Sequence, residues 1–232
     1  MQLSMRLQAI ADMVRAGGRV VDVGCDHGYI PIWLVERKKC SGAVAMDINR
    51  GPLARAEENI RHHGLSGYIE TRLSDGLSAL EPGEGESLVI AGMGGPLVER
   101  ILTAGRRTAE SFREMILEPQ SEIGHVRLFL QEQGYRIEEE NMVYEDGKFY
   151  PILRVVRGQM GPLTEVELEY GPCLLRQPNP TLRQFLIREQ DAAIRLSRKL
   201  SETQSDKAAG RVRELQLKLR MISGALEYYE GN

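Results

Sequence analysis

The short apolar run Arg19 to Val23 leads directly into Asp22-Val23-Gly24-Cys25-Asp26-His27-Gly28-Tyr29-Ile30-Pro31 and then into a helical stretch. A second apolar run, Ala43 to Met46, ends on Asp47, about 20 residues after the glycines. Strand, glycine turn, helix, strand and acid is the order of a nucleotide-binding βαβ unit. Glycines let the backbone approach a ligand where a Cβ would clash, and a carboxylate at the next strand end can accept both ribose hydroxyls. The pattern leaves two ligand classes open, a dinucleotide and S-adenosylmethionine.

The rest of the chain narrows the architecture. Leu3, Leu7, Ile10, Ala11 and Val14 share one helical stripe, which predicts an opening amphipathic helix that runs up to Gly17-Gly18. Strands are expected near 19–23, 42–47, 68–73, 86–91, 113–117, 135–144 and 149–157, and helices near 29–38, 51–63, 94–104 and 121–133. Repeated strand–helix alternation demands a mostly parallel sheet covered on both faces. The last two strands break that rhythm, because Glu145-Asp146-Gly147-Lys148 is a hairpin turn with Asp-Gly at its centre. The expected fold class is therefore α/β, the seven-stranded Rossmann-like sheet of class I S-adenosylmethionine-dependent methyltransferases, over residues 1–158.

Beyond Gly158-Gln159-Met160-Gly161-Pro162 helix formers dominate, giving a second, helical domain over 159–232. Val212, Leu215, Leu219, Ile222, Leu226 and Tyr229 form a heptad seam, and Leu182, Leu186, Ala193, Leu196 and Leu200 a facing one, interrupted by Glu189. With a polar link over Ser201 to Lys207, these predict an antiparallel coiled-coil hairpin; the alternative is one long helix that dimerises through the same seam.

Composition excludes several classes. The net charge is −3, so the whole chain does not advertise a nucleic-acid binder. Three cysteines, Cys25, Cys40 and Cys173, lack paired spacing and argue for a reducing compartment, while the absence of a second ligand pair argues against zinc. No stretch is long and apolar enough to span a membrane, and the N-terminus lacks a signal-peptide layout. A cytoplasmic protein is expected.

Within the first turn, Asp26 stands where methyltransferase loops usually carry their middle glycine. An acid there repels a pyrophosphate but suits the cationic sulfonium or ammonium of S-adenosylmethionine; the plainer reading is a helix cap. His27 reads as a neutral residue beneath a cofactor or bonded to a carbonyl rather than as a general base. Tyr29 offers a face for stacking or for packing at a helix start. Asp75, in Ser74-Asp75-Gly76-Leu77 after the third strand, stands where the equivalent acid of the methyltransferase fold meets the donor adenine; the plainer reading of Asp-Gly is an ordinary turn. Ile90-Ala91-Gly92-Met93-Gly94-Gly95-Pro96 closes the fourth strand with three glycines, a loop against which a flat base can lie.

Together these motifs resemble the bacterial tRNA adenine-22 N1-methyltransferase family over almost the whole chain. The resemblance rests on Leu3 to Ile10, the Asp22–Pro31 loop, Gly51-Pro52-Leu53, Asp75-Gly76-Leu77, Ile90 to Gly95, Glu145 to Tyr150 and Tyr170-Gly171-Pro172. One departure is Glu118-Pro119-Gln120, where the family commonly reads Gln-Pro-Asn. The resemblance implies methyl transfer from S-adenosylmethionine to N1 of an adenine in tRNA. It implies a cofactor site of Asp22, Gly24, Asp26, His27, Gly28, Asp47, Ile48, Asp75, Gly76, Leu77, Ala91 and Gly92. Asp26, His27, Tyr29, Gly92, Met93 and Gly94 are then expected around the reacting groups, with Tyr29 or Tyr150 as a stacking lid. No metal is implied.

Between Arg176 and Arg220 lie 11 Lys and Arg against five Asp and Glu. Arg176, Arg183, Arg195, Arg198, Lys199, Arg211 and Arg213 are candidate tRNA-phosphate contacts; the same charges also suit a solvated coiled-coil face. A monomer is expected, with a coiled-coil dimer as the alternative. Other functions open to this fold are methylation of another RNA or a small molecule, and tRNA binding without catalysis.

Overall fold

The computed structural model describes residues 1–202 and 205–230, in two compact units, Met1–Gly161 and Pro162–Asn232. In the first unit, parallel strands β1 (Arg19–Val23), β2 (Gly42–Asp47), β3 (Ile69–Leu73), β4 (Ser87–Met93) and β5 (Glu114–Pro119) are followed by the antiparallel pair β6 (Tyr135–Glu145) and β7 (Lys148–Arg157). The sheet order is β3-β2-β1-β4-β5-β7-β6. Every residue of β2 and β5 is buried, the signature of strands covered on both faces. Helices α2 (Tyr29–Glu36), α3 (Arg50–His62), α4 (Gly95–Ala104), α5 (Arg106–Ala109) and α6 (Ile123–Glu132) fall between the parallel strands or follow β5.

The β6–β7 hairpin turns through Asp146 and Gly147 at φ 48° and 81°, the two positive values that a two-residue type I′ turn requires. At the end of α3, His63 caps the helix and Gly64 takes φ 69°, with Leu65 N–H closing back on Ile60.

The opening helix α1 (Met5–Met13) begins at Ser4, whose hydroxyl accepts from Leu7 N–H, and it ends before the Gly17-Gly18 stop expected from sequence. Glu114 is the reason. Its carboxylate takes the backbone N–H groups of Arg15 (2.8 Å) and Ala16 (2.9 Å), so they are not held by helical carbonyls, and Val14 is already extended.

The second unit contains α7 (Glu165–Tyr170), α8 (Pro172–Arg176), α9 (Pro180–Ser201) and α10 (Asp206–Glu227). Tyr229 Oη donates to Asn179 O (2.8 Å) beside the start of α9, while Lys218 meets Glu189 midway along, so the two long helices run antiparallel. The seams face each other inside one chain, which replaces the single-long-helix alternative. Glu189, the flaw in the seam, is answered by that ion pair. Leu196 departs from expectation: it is 40% exposed, because the buried line passes from Leu186 through Ala193 toward Leu200. The expected link over Ser201 to Lys207 includes residues 203 and 204, which lie outside the described residues.

Candidate active site

The strand order reverses at β1 and β4, and ligands of open α/β sheets bind beyond the strand ends at that switch point. A cleft of about 410 Å³ opens there. Its lining includes Asp22, Gly24, Asp26, His27, Tyr29, Ala91 and Gly92 from the expected site, joined by Arg6, Leu7, Cys25, Ile30 and Gln120, which sequence reasoning did not place there.

The glycine turn is shaped by three left-handed residues, Gly24 (φ 78°), Asp26 (φ 43°) and Gly28 (φ 70°). Asp26 thus keeps the backbone shape of the glycine it replaces; a short polar side chain tolerates that region better than most. A Cβ on Gly24 would lie 2.3 Å from Met93 Cε, so β1's turn and β4's end are in contact through the missing side chain. Asp26 is exposed, pairs with Arg55 at 2.9 Å, and lies 3.6 Å from His27 Nε2. The imidazole stacks on Tyr29 with centroids 5.1 Å apart and planes 7° off parallel. His27 is partly exposed, and its backbone carbonyl accepts from Asn59 Nδ2 at 3.0 Å.

Asp22, at the floor, is buried among β1's neighbours. Burial, then the Asp47 carboxylate beside it, pushes its carboxyl up to about 7. No ion pair joins Asp22 to another described residue, whereas Asp26 has Arg55. Asp47 closes β2 and accepts Asn49 N–H at 2.8 Å, and Ile48 beside it is 56% exposed.

On the opposite side β4 carries a bulge. Ala91 pairs with Glu118 and Met93 with Pro119, leaving Gly92 (φ 77°) as the extra residue. Its N–H donates to Glu118 Oε2 at 2.8 Å instead of to the ladder. Glu118 is fully buried, and the same Oε2 accepts Arg6 Nη1 at 2.9 Å; Oε1 has no hydrogen-bond partner among the described residues. Burial raises this carboxyl despite Arg6 and the Gly92 N–H. Arg6 also lies over the Tyr150 ring, 5.1 Å from its centroid. Neither Glu118 nor Arg6 carried a sequence signal for this contact, since they are 112 residues apart.

Other expected residues sit outside the cleft lining. Met93 lies over Gly24, Gly94 caps α4, and Gly95 packs where a Cβ would meet Ser121 O at 2.5 Å. Of the three glycines only Gly92 borders the cleft. Gly28 caps α2 against Ala56. Asp75, Gly76 and Leu77 line a separate hollow of about 220 Å³ with Arg100, whose Nη2 is 3.8 Å from Asp75.

In the helical unit Arg183, Arg195, Arg198, Lys199 and Arg213 are exposed. Arg195, Arg198 and Lys199, one helical turn apart on α9, form no ion pair among the described residues. Arg176 and Arg211 are partly neutralised by Glu167 and Glu214. The described residues contain no group of His, Cys, Asp or Glu suited to a metal ion, and no helix long and apolar enough to cross a membrane.

A methyltransferase domain family matches residues 3–153. The tRNA (adenine(22)-N(1))-methyltransferase of Bacillus subtilis is 34% identical over 184 residues, 77% of each chain. A Streptococcus pneumoniae protein solved in complex with S-adenosyl-L-methionine superposes with a TM-score of 0.85 at 35% identity, over 97% of this chain and 100% of the other. M. capricolum TrmK in complex with S-adenosyl-homocysteine gives 0.82 at 27% identity, over 97% and 98%.

Proposed function

The chain belongs to the tRNA (adenine(22)-N(1))-methyltransferase family, and on that premise we propose that it methylates N1 of adenine 22 in tRNA, using S-adenosylmethionine. The observation that carries the reading is Asp22: a buried carboxylate without an ion-pair partner among the described residues, lining a cleft floored by left-handed glycines. Such a site fits a cationic ligand whose flat and extended parts press against backbone.

Asp22 and Asp26 supply negative charge to the sulfonium and ammonium, Asp47 accepts the ribose hydroxyls beside Ile48, and Asp75 with the Gly76 and Leu77 backbone meets the donor adenine. Gly24, Gly28, Ala91 and Gly92 keep the backbone accessible. When bound, the donor supplies an electrophilic methyl carbon, which the N1 lone pair attacks as the carbon–sulfur bond breaks and sulfur keeps the electron pair. Neutral adenine has no proton on N1, so the protein need supply no general base. His27 and Tyr29 therefore act as a stacked wall, and the chain's work is positioning and exclusion of water. N1 lies on the pairing edge, so the base must be turned out of its stack to enter.

Arg195, Arg198 and Lys199 are the phosphate contacts that this reading favours, with Arg183 and Arg213 beyond them and the paired Arg176 and Arg211 contributing less. The enzyme acts in the cytoplasm as a monomer and needs no metal. Incubation with unmodified tRNA, followed by digestion to nucleosides, tests the reading: N1-methyladenosine is expected, and N6-methyladenosine or an unmodified digest would overturn it.

A further inference from the structure

Adenine must be distinguished from other bases while N1 is left uncovered, and the cleft lining holds one carboxamide, which sets a donor and an acceptor side by side. On the methyl-transfer reading above, we propose that Gln120 is the specificity-determining residue, gripping the target adenine by its N6–N7 edge. Gln120 lines the cleft just beyond buried Pro119. Its backbone is fixed, because its N–H donates to Met93 O at 2.8 Å across the bulge. Its Nε2 lies 3.8 Å from the point where a Gly92 Cβ would stand, so the amide rests against bare backbone.

The side-chain amide makes no hydrogen bond to any described residue, leaving both its oxygen and its NH₂ available. Arg6 can only donate, Asp22 is a buried carboxylate, and Asp26 is engaged by Arg55. A carboxamide offers an acceptor and a donor side by side, which matches the N6–H donor and N7 acceptor of adenine. That edge lies away from N1, so a base held there keeps its lone pair facing the methyl donor. Guanine presents O6 to the amide oxygen instead, and its N1 carries a proton.

The test uses the full-length protein and tRNA transcripts with adenosine or 7-deazaadenosine at the target position, the latter lacking the N7 acceptor. Gln120→Ala on adenosine and wild type on 7-deazaadenosine should each lose about tenfold or more in kcat/KM. Gln120→Ala should then lose little further on 7-deazaadenosine, since the variant has already lost the N7 contact that the analogue removes. Unchanged donor binding by calorimetry and an unchanged thermal midpoint show that the exposed substitution leaves the fold intact. Multiplying losses, or a Gln120→Ala variant as active as wild type, would overturn the assignment alone. Failure of wild type to form N1-methyladenosine on the adenosine transcript would overturn the underlying reading and this inference with it.

Discussion

Arg6 and Glu118 meet at 2.9 Å across the rim of the cleft, with the carboxylate fully buried and the guanidinium stacked over Tyr150. The same carboxylate oxygen holds the Gly92 bulge, so one buried acid fixes both an entrance side chain and a wall of the cleft.

Removing that acid leaves a cation and an N–H without their acceptor. Glu118→Ala should cost about 3 kcal/mol, lowering the thermal midpoint by roughly 6–12 °C. Glu118→Gln keeps an acceptor oxygen and removes a buried charge, so it should stay within about 1 kcal/mol of wild type. Equal losses in thermal melts of the two variants would contradict the role of the shared oxygen.

Glu114 should mark the acid limb of stability. Burial raises its carboxyl, but the N–H groups of Ala16 and Arg15, with Arg154 and Ser87, outweigh burial and hold it below the usual 4.5. A depressed carboxyl contributes stability above its unfolded value, and loses it as pH falls through the folded one. Glu114→Gln should therefore cost about 1–3 kcal/mol at neutral pH. The gap from wild type should narrow below the usual carboxylate value, as denaturant melts across that range will show.

Asp22 behaves oppositely. Its carboxyl is raised from 3.8 to about 7, so the stability it contributes is present below 3.8 and lost as pH rises through about 7. A cationic donor must displace the proton held below that point. Affinity for S-adenosylmethionine should fall as pH drops below about 7, by up to tenfold per unit. Calorimetry over a pH series should show this slope in wild type and a flat profile in Asp22→Asn.

Gly24→Ala tests the turn itself. The clash with Met93 Cε falls on the end of a flexible side chain, but φ 78° remains strained for alanine. The substitution should cost about 1–2 kcal/mol in stability, and Met93→Ala in the same chain should not restore it. Recovery in the double variant would assign the cost to contact instead.

Charge reversal at both Arg195 and Arg198 should weaken tRNA binding. The slope of log affinity against log salt should become shallower by about 2. Filter binding at several salt concentrations measures it, and unchanged binding would remove α9 from the interface.

The parts of this molecule that local chemistry dictates were legible in the sequence. Apolar runs placed the strands to within a few residues, and Asp146-Gly147 announced the hairpin because few pairs reach its positive φ values. The short helix α7 was missed, although Thr164 and Glu167 form a capping box that the Thr-x-x-Glu spacing announces. Glu114 and Glu118 were illegible for another reason. A glutamate in an apolar run declares no partner, and these two find theirs some hundred residues earlier, Arg6 in α1 for Glu118 and the Arg15 and Ala16 N–H groups just beyond α1 for Glu114. Leu196 shows the limit of periodicity, since a seam drifting by one residue leaves an apolar side chain outside.

Strand β7 enters the sheet between β5 and β6, so position in the sheet and order of synthesis disagree. Helix α1 leaves the ribosome before every strand of the sheet yet rests on β6 and β7, with Arg6 reaching Glu145 and Tyr150. At ribosomal speeds roughly 7 to 28 s separate the birth of Arg6 from that of its neighbours. Throughout that interval α1 has α2 and β5 to pack on but lacks the part of its docking surface that β6 and β7 supply. The cleft's rim is finished only when the hairpin slots into place, so an incomplete polypeptide has an open, unsealed cleft.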